Sequence, residues 1–391
     1  MRLDGLRVLD LTRLLPGPYA TQLLADTGAE VIKLEDTDRG DYARAMPPHS
    51  DRGVGATFDA VNRGKRSVAL NLKTDAGRAA FYRLITDFDV LIEGFRPGVT
   101  ERLGVDYDTV REHNPELVYC SLTGYGQTGP EASTVGHDLN YVGRAGLLDM
   151  TRRTAEEKPQ VPGYPIADMA GGLLAAFSVV GGVLSRELGS GGDGGEHVDV
   201  AMTDAVCSFS QAVSASVAAG ESPRPGETAL TAGLPWYDVY ETRDEKYVTL
   251  AALEGKFWRA FCEAIDCEDL IDEHRSDDPA VKEALREELE TVFAARTRAE
   301  WIEELGDVPA MVGPVNTPEE VLDDPGFDAR GIVRRPESAP PRIGFPVRST
   351  VEPGASDESI PDRGEHTESV LREAGWTENE IDDLRITGAI E

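Results

Sequence analysis

LRVLDLTRLLPGPYATQLLADTGAEVIKLE, residues 6–35, decides the fold class. LRVLDLT (6–12) is an apolar run of strand length, bounded by turn residues. Pro16-Gly17-Pro18 then opens a helix that Gly28 closes, and VIKLE (31–35) is a second apolar run. Strand, helix and strand in this order make a right-handed crossover unit, which predicts a parallel sheet. The first turn carries no GxGxxG, so the dinucleotide fingerprint is absent.

Outward from that unit the alternation continues. SVALNL (67–72), DVLIEGF (89–95) and LVYCSLTGYG (117–126) read as further strands, and Thr74 to Ile85 as a helix. ADMAGGLLAAFSVVGGVLSREL (167–188) reads as a buried helix rich in small residues, and HVDVAMTDAV (197–206) as a strand running into a helix. The apolar run Met169 to Leu184 within the long helix is read as too short for a bilayer. WYDVYETRDEKYVTLAAL (236–253) reads as a hairpin turning at Arg243-Asp244-Glu245. Acidic helices follow near 255–265 and 279–294 and from Arg298, and a last helix at 367–375 follows a Pro- and Gly-rich tail. The expected fold is α/β: a Rossmann-like large domain with a parallel sheet (1–229, completed by 326–391) and a smaller α/β domain (230–325).

Charge bounds the partners. The chain has 391 residues, with 71 acidic against 39 basic side chains and a formal net charge of -32. Only Lys33, Lys65, Lys73, Lys158, Lys246, Lys256 and Lys282 are lysines, and the other basic residues are arginines. So negative a surface repels nucleic acid and anionic membranes. It also repels itself unless salt screens it, since the Debye length falls to about 3 Å at 1 M. The expectation is a halophilic, cytoplasmic protein with no nucleic-acid or membrane partner. No signal peptide is visible in the opening MRLDGLRVLDLT. Cys120, Cys207, Cys262 and Cys267 lack metal-ligand or CxxC spacing, so reduced thiols and no metal site are expected.

Two residues attract attention as chemistry. His137 lies in TGYGQTGPEASTVGHDLNY, after a strand of the predicted parallel sheet, at the edge where such sheets take ligands. Imidazole titrates near 6.5, so it can take or give a proton near neutral pH. Alternatively, His137 is a loop residue bonded to Asp138 or to a backbone carbonyl. Asp168 opens the small-residue helix as ADMAGG. It is either a helix N-cap or a carboxylate able to act as nucleophile or proton donor.

Several stretches resemble the family uniting class III coenzyme A transferases with 2-methylacyl-CoA racemases. They are residues 6–35, NRGKRSVALNLK (62–73), VLIEGFRPGVTERLG (90–104), LVYCSLTGYGQTGP (117–130), ADMAGG (167–172) and HVDVAMTDA (197–205). The resemblance implies an acyl-CoA substrate, with coenzyme A as part of the substrate and no separate cofactor, and an interlocked homodimer. It implies a functional carboxylate at Asp168, a nucleophile in transferases and one of two acid/base groups in racemases. Three features resemble the racemase branch: the His of Gly136-His137-Asp138, the stretch AGLPWYDVYET (232–242), and Glu254 in AALEGKFW, where racemases place a Glu contributed across the dimer. Asp36 with Arg39 and Arg44 in DRGDYAR resembles the transferases instead. By the same resemblance the coenzyme A contacts are Leu70, Asn71, Leu72, Lys73, Gly94, Phe95, Arg96, Arg102, Gly136 and Asp138. The expectation is a 2-methylacyl-CoA racemase using His137, Asp168 and Glu254, with a class III coenzyme A transferase as the alternative.

Overall fold

The computed structural model describes residues 2–189, 194–336, 340–351 and 358–391. Parts of the Pro- and Gly-rich tail, 337–339 and 352–357, lie outside them. The chain divides into two compact units: Met1–Ala145 with Gly163–Phe209 and Pro325–Glu391, and Gly146–Pro162 with Ser210–Asp324.

The first unit is an α/β fold around a six-stranded sheet. Its strands are β1 (Arg7–Asp10), β2 (Glu30–Glu35), β3 (Arg66–Ala69), β4 (Val90–Glu93), β5 (Val118–Thr123) and β6 (His197–Ala201). Their order is β3-β2-β1-β4-β5-β6, and every neighbouring pair is parallel. Strands β4 and β5 are buried at every position, as strands covered on both faces must be. One core gathers Leu9, Ile32, Val68, Phe81, Leu91 and Tyr119 with Val370, Trp376 and Ile381 of the C-terminal segment. Helix Glu378–Ile386 was not anticipated. It follows a Thr377–Glu380 capping box, whose threonine and glutamate are both in the sequence.

The predicted helix at 167–188 spans Ile166–Glu187. By length and composition alone it could cross a bilayer, which corrects the reading that the run is too short. Its small residues let it pack tightly inside this unit. A Cβ on Gly172 would stand 2.4 Å from the Pro16 carbonyl oxygen, and one on Gly182 would stand 2.9 Å from Val118. Helix Pro16–Ala25 is its main helical neighbour.

The second unit has a three-stranded antiparallel sheet of β7 (Tyr237–Glu241), β8 (Tyr247–Ala251) and β9 (Val312–Pro314). The hairpin turns where expected, with Glu245 in the left-handed region at φ 58°. Helices Gly255–Ala264, Pro279–Ala294 and Arg298–Leu305 accompany the sheet, and Trp258, Phe261, Phe293 and Trp301 fill the unit's core. Segments 146–162 and 210–229, expected with the large domain, pack here instead. The reason is local: Arg153 holds the buried Asp238 of β7 with both guanidinium nitrogens, at 3.1 and 3.0 Å, and Arg286 donates to the Ala232 carbonyl at 2.7 Å.

Candidate active site

In a doubly wound sheet the helical connections leave opposite faces on either side of the strand where the order reverses, and a crevice opens at the carboxyl edge there. Here that place is between β1 and β4. A cavity of about 240 Å³ lies there, walled by Thr12–Leu14, Pro16 and Gly17 after β1, by Gly94–Pro97 after β4, and by Leu122–Tyr125 at the end of β5. Ala132 and Thr134–His137, Tyr141, Asp168 and Met202 complete it.

His137 and Asp168, 31 positions apart in sequence, therefore meet in one cavity. The residue that joins their segments is Asp138. Its Oδ1 accepts from the backbone N–H of Ala167 at 2.6 Å and of Asp168 at 3.1 Å. Those donors are orphans of the first helical turn, so Asp138 caps a helix distant in sequence. Pro165, not Asp168, is the N-cap residue of that helix, and the capping alternative for the Asp168 side chain falls away. Among the described residues no protein hydrogen bond reaches the Asp168 carboxylate. Burial, and then the charge of Asp138, push its pKa up to about 6, against the pull of His137. Such a group can hold or release a proton near neutral pH. His137 heads its own short helix, Asp138–Arg144, with its backbone N–H on Asn140 Oδ1 at 3.0 Å. His137 is exposed and lines the cavity. Tyr141 donates to the Gly136 carbonyl at 2.6 Å and crosses Tyr125 edge-on.

Of the other expected contacts, Gly94, Phe95, Arg96 and Gly136 line this cavity, whereas Leu70, Asn71, Leu72, Lys73, Arg102 and Asp138 do not. Leu70 and Leu72 are buried in the hydrophobic core, so only their backbone could meet a ligand. Lys73 and Arg102 are exposed, the latter donating to the Gly98 carbonyl at 2.6 Å. Glu254 is an exposed N-cap residue of the Gly255–Ala264 helix in the second unit.

The sequence reading missed Arg13, Tyr125 and Tyr141 as cavity residues. Arg13 is tied to Asp36 at 3.3 Å and to the Tyr42 hydroxyl at 3.0 Å, and lies over the Phe95 ring. Asp36 also accepts from the N–H groups of Asp38, Arg39 and Gly40, so it builds the turn after β2. Arg44 is held by Glu35 at 2.6 Å and covers Phe58. It is thus a structural ion pair. Arg39 is exposed beside Asp38.

A carboxyl-edge cavity lined by a histidine and a carboxyl of raised pKa is the kind of site an α/β enzyme carries, and comparison with known proteins places the chain in a family. The model of CoA-transferase family III matches residues 3–367, and the chain belongs to that family. Among its relatives, succinyl-CoA:mesaconate CoA-transferase of Haloarcula marismortui is 36% identical, over 95% of this chain and 96% of that protein. Human alpha-methylacyl-CoA racemase is 32% identical over 100% and 98%. A crystal structure of a CAIB/BAIF family protein from Brucella suis superposes with a TM-score of 0.81 at 31% identity, covering 95% of this chain and 99% of that one.

Proposed function

We propose that this protein is a 2-methylacyl-CoA racemase. The observation that carries this reading is that His137 and Asp168 share one cavity while burial raises the carboxyl of Asp168 to about 6. Inverting the carbon beside a thioester carbonyl requires one group to remove its proton from one face and another to return a proton on the other. A neutral His137 with a protonated Asp168 serves one direction, and the reversed pair serves the other. The enolate between the two steps needs donors where charge develops; the N–H groups of Ala167 and Asp168 are already taken by Asp138, which leaves the Gly-rich backbone around 124–136 as the candidate. The acyl-CoA lies along Gly94–Arg96 and Gly136, with its phosphates toward Lys73 and Arg102. Arg pairs with phosphate through two parallel hydrogen bonds.

The protein acts as a homodimer in this reading, and Glu254 comes to the His137 of the partner copy. Leu173, Phe177, Leu184 and Leu188 support an interface, since they form one exposed apolar stripe along the Ile166–Glu187 helix. Light scattering in molar KCl is expected to give twice the 42.3 kDa chain mass.

In D2O the protein should exchange the 2-hydrogen of a 2-methylacyl-CoA with solvent, without any acceptor acid. His137→Ala and Asp168→Ala should each reduce exchange about 10²–10⁴-fold. Mass measurement of the acyl chain reads both. The 36% identity to a transferase favours a second reading, in which Asp168 attacks the thioester and His137 is dispensable. Hydroxylamine trapping of an acyl group on Asp168, with no exchange, selects that alternative. Titration of coenzyme A into Lys73→Ala and Arg102→Ala should show affinity weakened by roughly 1.5–3 kcal/mol for each lost charged hydrogen bond. Unchanged affinity removes both residues from the site.

A further inference from the structure

Directly behind the cavity wall, three neighbouring strands contribute one row of hydrogen-bonding side chains. Glu93, the last residue of β4, is 1% exposed. One of its carboxyl oxygens accepts from the Phe95 backbone N–H at 2.7 Å, and Phe95 with Gly94 and Arg96 forms the wall itself. Ser121 is its register partner on β5, so the two side chains stand side by side on one face of the sheet, and the Ser121 hydroxyl favours the ionised form of the carboxyl. The Ser121 hydroxyl lies 3.0 Å from Nε2 of His197 on β6. β6 is an edge strand, and the exposed His197 ring stacks on Tyr107 at 5.1 Å.

No cation among the described residues pairs with Glu93. The groups around it are Glu101 from helix Val99–Leu103, Asp199 and His197 from β6, and Tyr119, Cys120 and Ser121 from β5. On the side of β1, Asp10 is itself held by Lys65 and Lys33. Burial raises the Glu93 carboxyl to about 7, and the charges of Glu101 and Asp199 act in the same direction, against the hydrogen bonds of Ser121 and Phe95. Although His197 is exposed at the strand edge, desolvation of its ring against Tyr107 and Tyr119 lowers its pKa, against the pull of Asp199 and Asp108, which favours a neutral imidazole.

We propose that Glu93 is a positioning residue for the Gly94–Phe95–Arg96 wall, and that its proton passes through Ser121 and His197 to solvent, which makes the grip of the cavity on its ligand depend on pH. With Glu93 neutral, its O–H donates to Ser121, and Ser121 donates to Nε2 of His197. On ionisation the Glu93 proton goes to Ser121 Oγ, the Ser121 proton goes to Nε2, and His197 releases its Nδ1 proton to water. The row then runs in reverse, from Nε2–H to Ser121 to the carboxylate. The charged acceptor binds the Phe95 N–H about twice as strongly as a neutral one, so the wall is held more firmly above pH 7 than below it.

The inference rests on the coenzyme A reading of the cavity, and two measurements on the full chain in molar KCl separate the two. Infrared difference spectra without ligand should contain a neutral-carboxyl band that titrates near pH 7. It should be missing from Glu93→Gln and move to higher pH in Ser121→Ala, which loses a hydrogen bond favouring the ionised form. The Kd for coenzyme A should fall roughly three- to tenfold between pH 5.5 and 8.5 in the wild type. In Glu93→Gln, which keeps an acceptor for Phe95, the part of that inflection near pH 7 should vanish, leaving only the contribution of Asp168 near 6. No carboxyl band titrating near pH 7, or an inflection near pH 7 that is unchanged in Glu93→Gln, overturns the inference and leaves the coenzyme A reading intact. Absence of coenzyme A binding by the wild type at every pH overturns that reading and the coupling with it, while the infrared titration still decides the relay.

Discussion

Asp138 has two tasks that one substitution can separate. Its Oδ1 caps the helix that carries Asp168, and its charge raises the Asp168 carboxyl. Asp138→Asn keeps an oxygen acceptor for the two N–H groups and removes the charge. The Asp168 pKa should then fall, and the acidic inflection in the pH profile of 2-hydrogen exchange should lie below its wild-type position near 6. An unmoved profile means that Asp168 does not set that inflection. A carboxyl raised in the folded state keeps its proton longer than in the unfolded chain, so it costs stability as pH rises from about 3.8 through about 6. Asp138→Asn should narrow that window.

At the scale of elements, the strand-helix turn after β1 forms one side of the cavity, and buried charges hold its backbone. Asp10 accepts from Thr12 N–H at 2.8 Å, Lys33 donates to the Thr12 carbonyl at 2.9 Å, and Asp41 accepts from Leu14 N–H at 3.0 Å. Leu14 sits at φ 68°, a conformation that such contacts must impose. Four acceptors, from Asp10, Pro18, Thr21 and Asn62, surround the Lys65 ammonium at 2.7–3.2 Å. Burial alone would raise the Asp10 carboxyl, but Lys33, Lys65, Thr12 and Thr21 outweigh it and hold it at about 2. The stabilisation is therefore present above about 3.8 and lost as pH falls through about 2. Removing one partner of a buried pair typically costs about 3–5 kcal/mol. Asp10→Ala should destabilise the fold by that order in denaturant titrations. Gly17→Ala should be harmful by a different route, because its Cβ would overlap the Thr12 side chain at 2.2 Å. Overpacking of this kind costs about 1–3 kcal/mol. Its denaturation midpoint should drop, and cavity ligand binding with it.

For the whole molecule, charge sets the conditions of folding. Arginines are woven among the carboxylates, as where Arg372 bridges Glu368 and Glu378, or Arg385 joins Asp382 to Glu368. Exposed pairs of this kind are individually worth at most about 1 kcal/mol, and the net charge remains -32. We propose that the fold requires salt. Its melting temperature should rise with KCl through the molar range as the Debye length shrinks. A melting temperature indifferent to salt would sink that proposal without touching the chemistry of the cavity.

The sequence by itself determined the parallel sheet, because apolar runs of strand length alternating with capped helices have few other ways to bury themselves. It also marked His137 and Asp168, whose Gly-rich and small-residue surroundings are local features. Leu70 and Leu72 show where local reading stops: within LNLK nothing tells that both side chains join the core that holds Phe81 and Trp376, which leaves only their backbone for a ligand. The cavity roles of Arg13, Tyr125 and Tyr141, the capping of one helix by Asp138 from another segment, and the Glu93–Ser121–His197 row were equally out of reach. Each depends on which strands become neighbours and on how far burial strips water from a charge. Those are properties of distance in three dimensions, and the tertiary structure alone brings residues 93, 121 and 197 into one line.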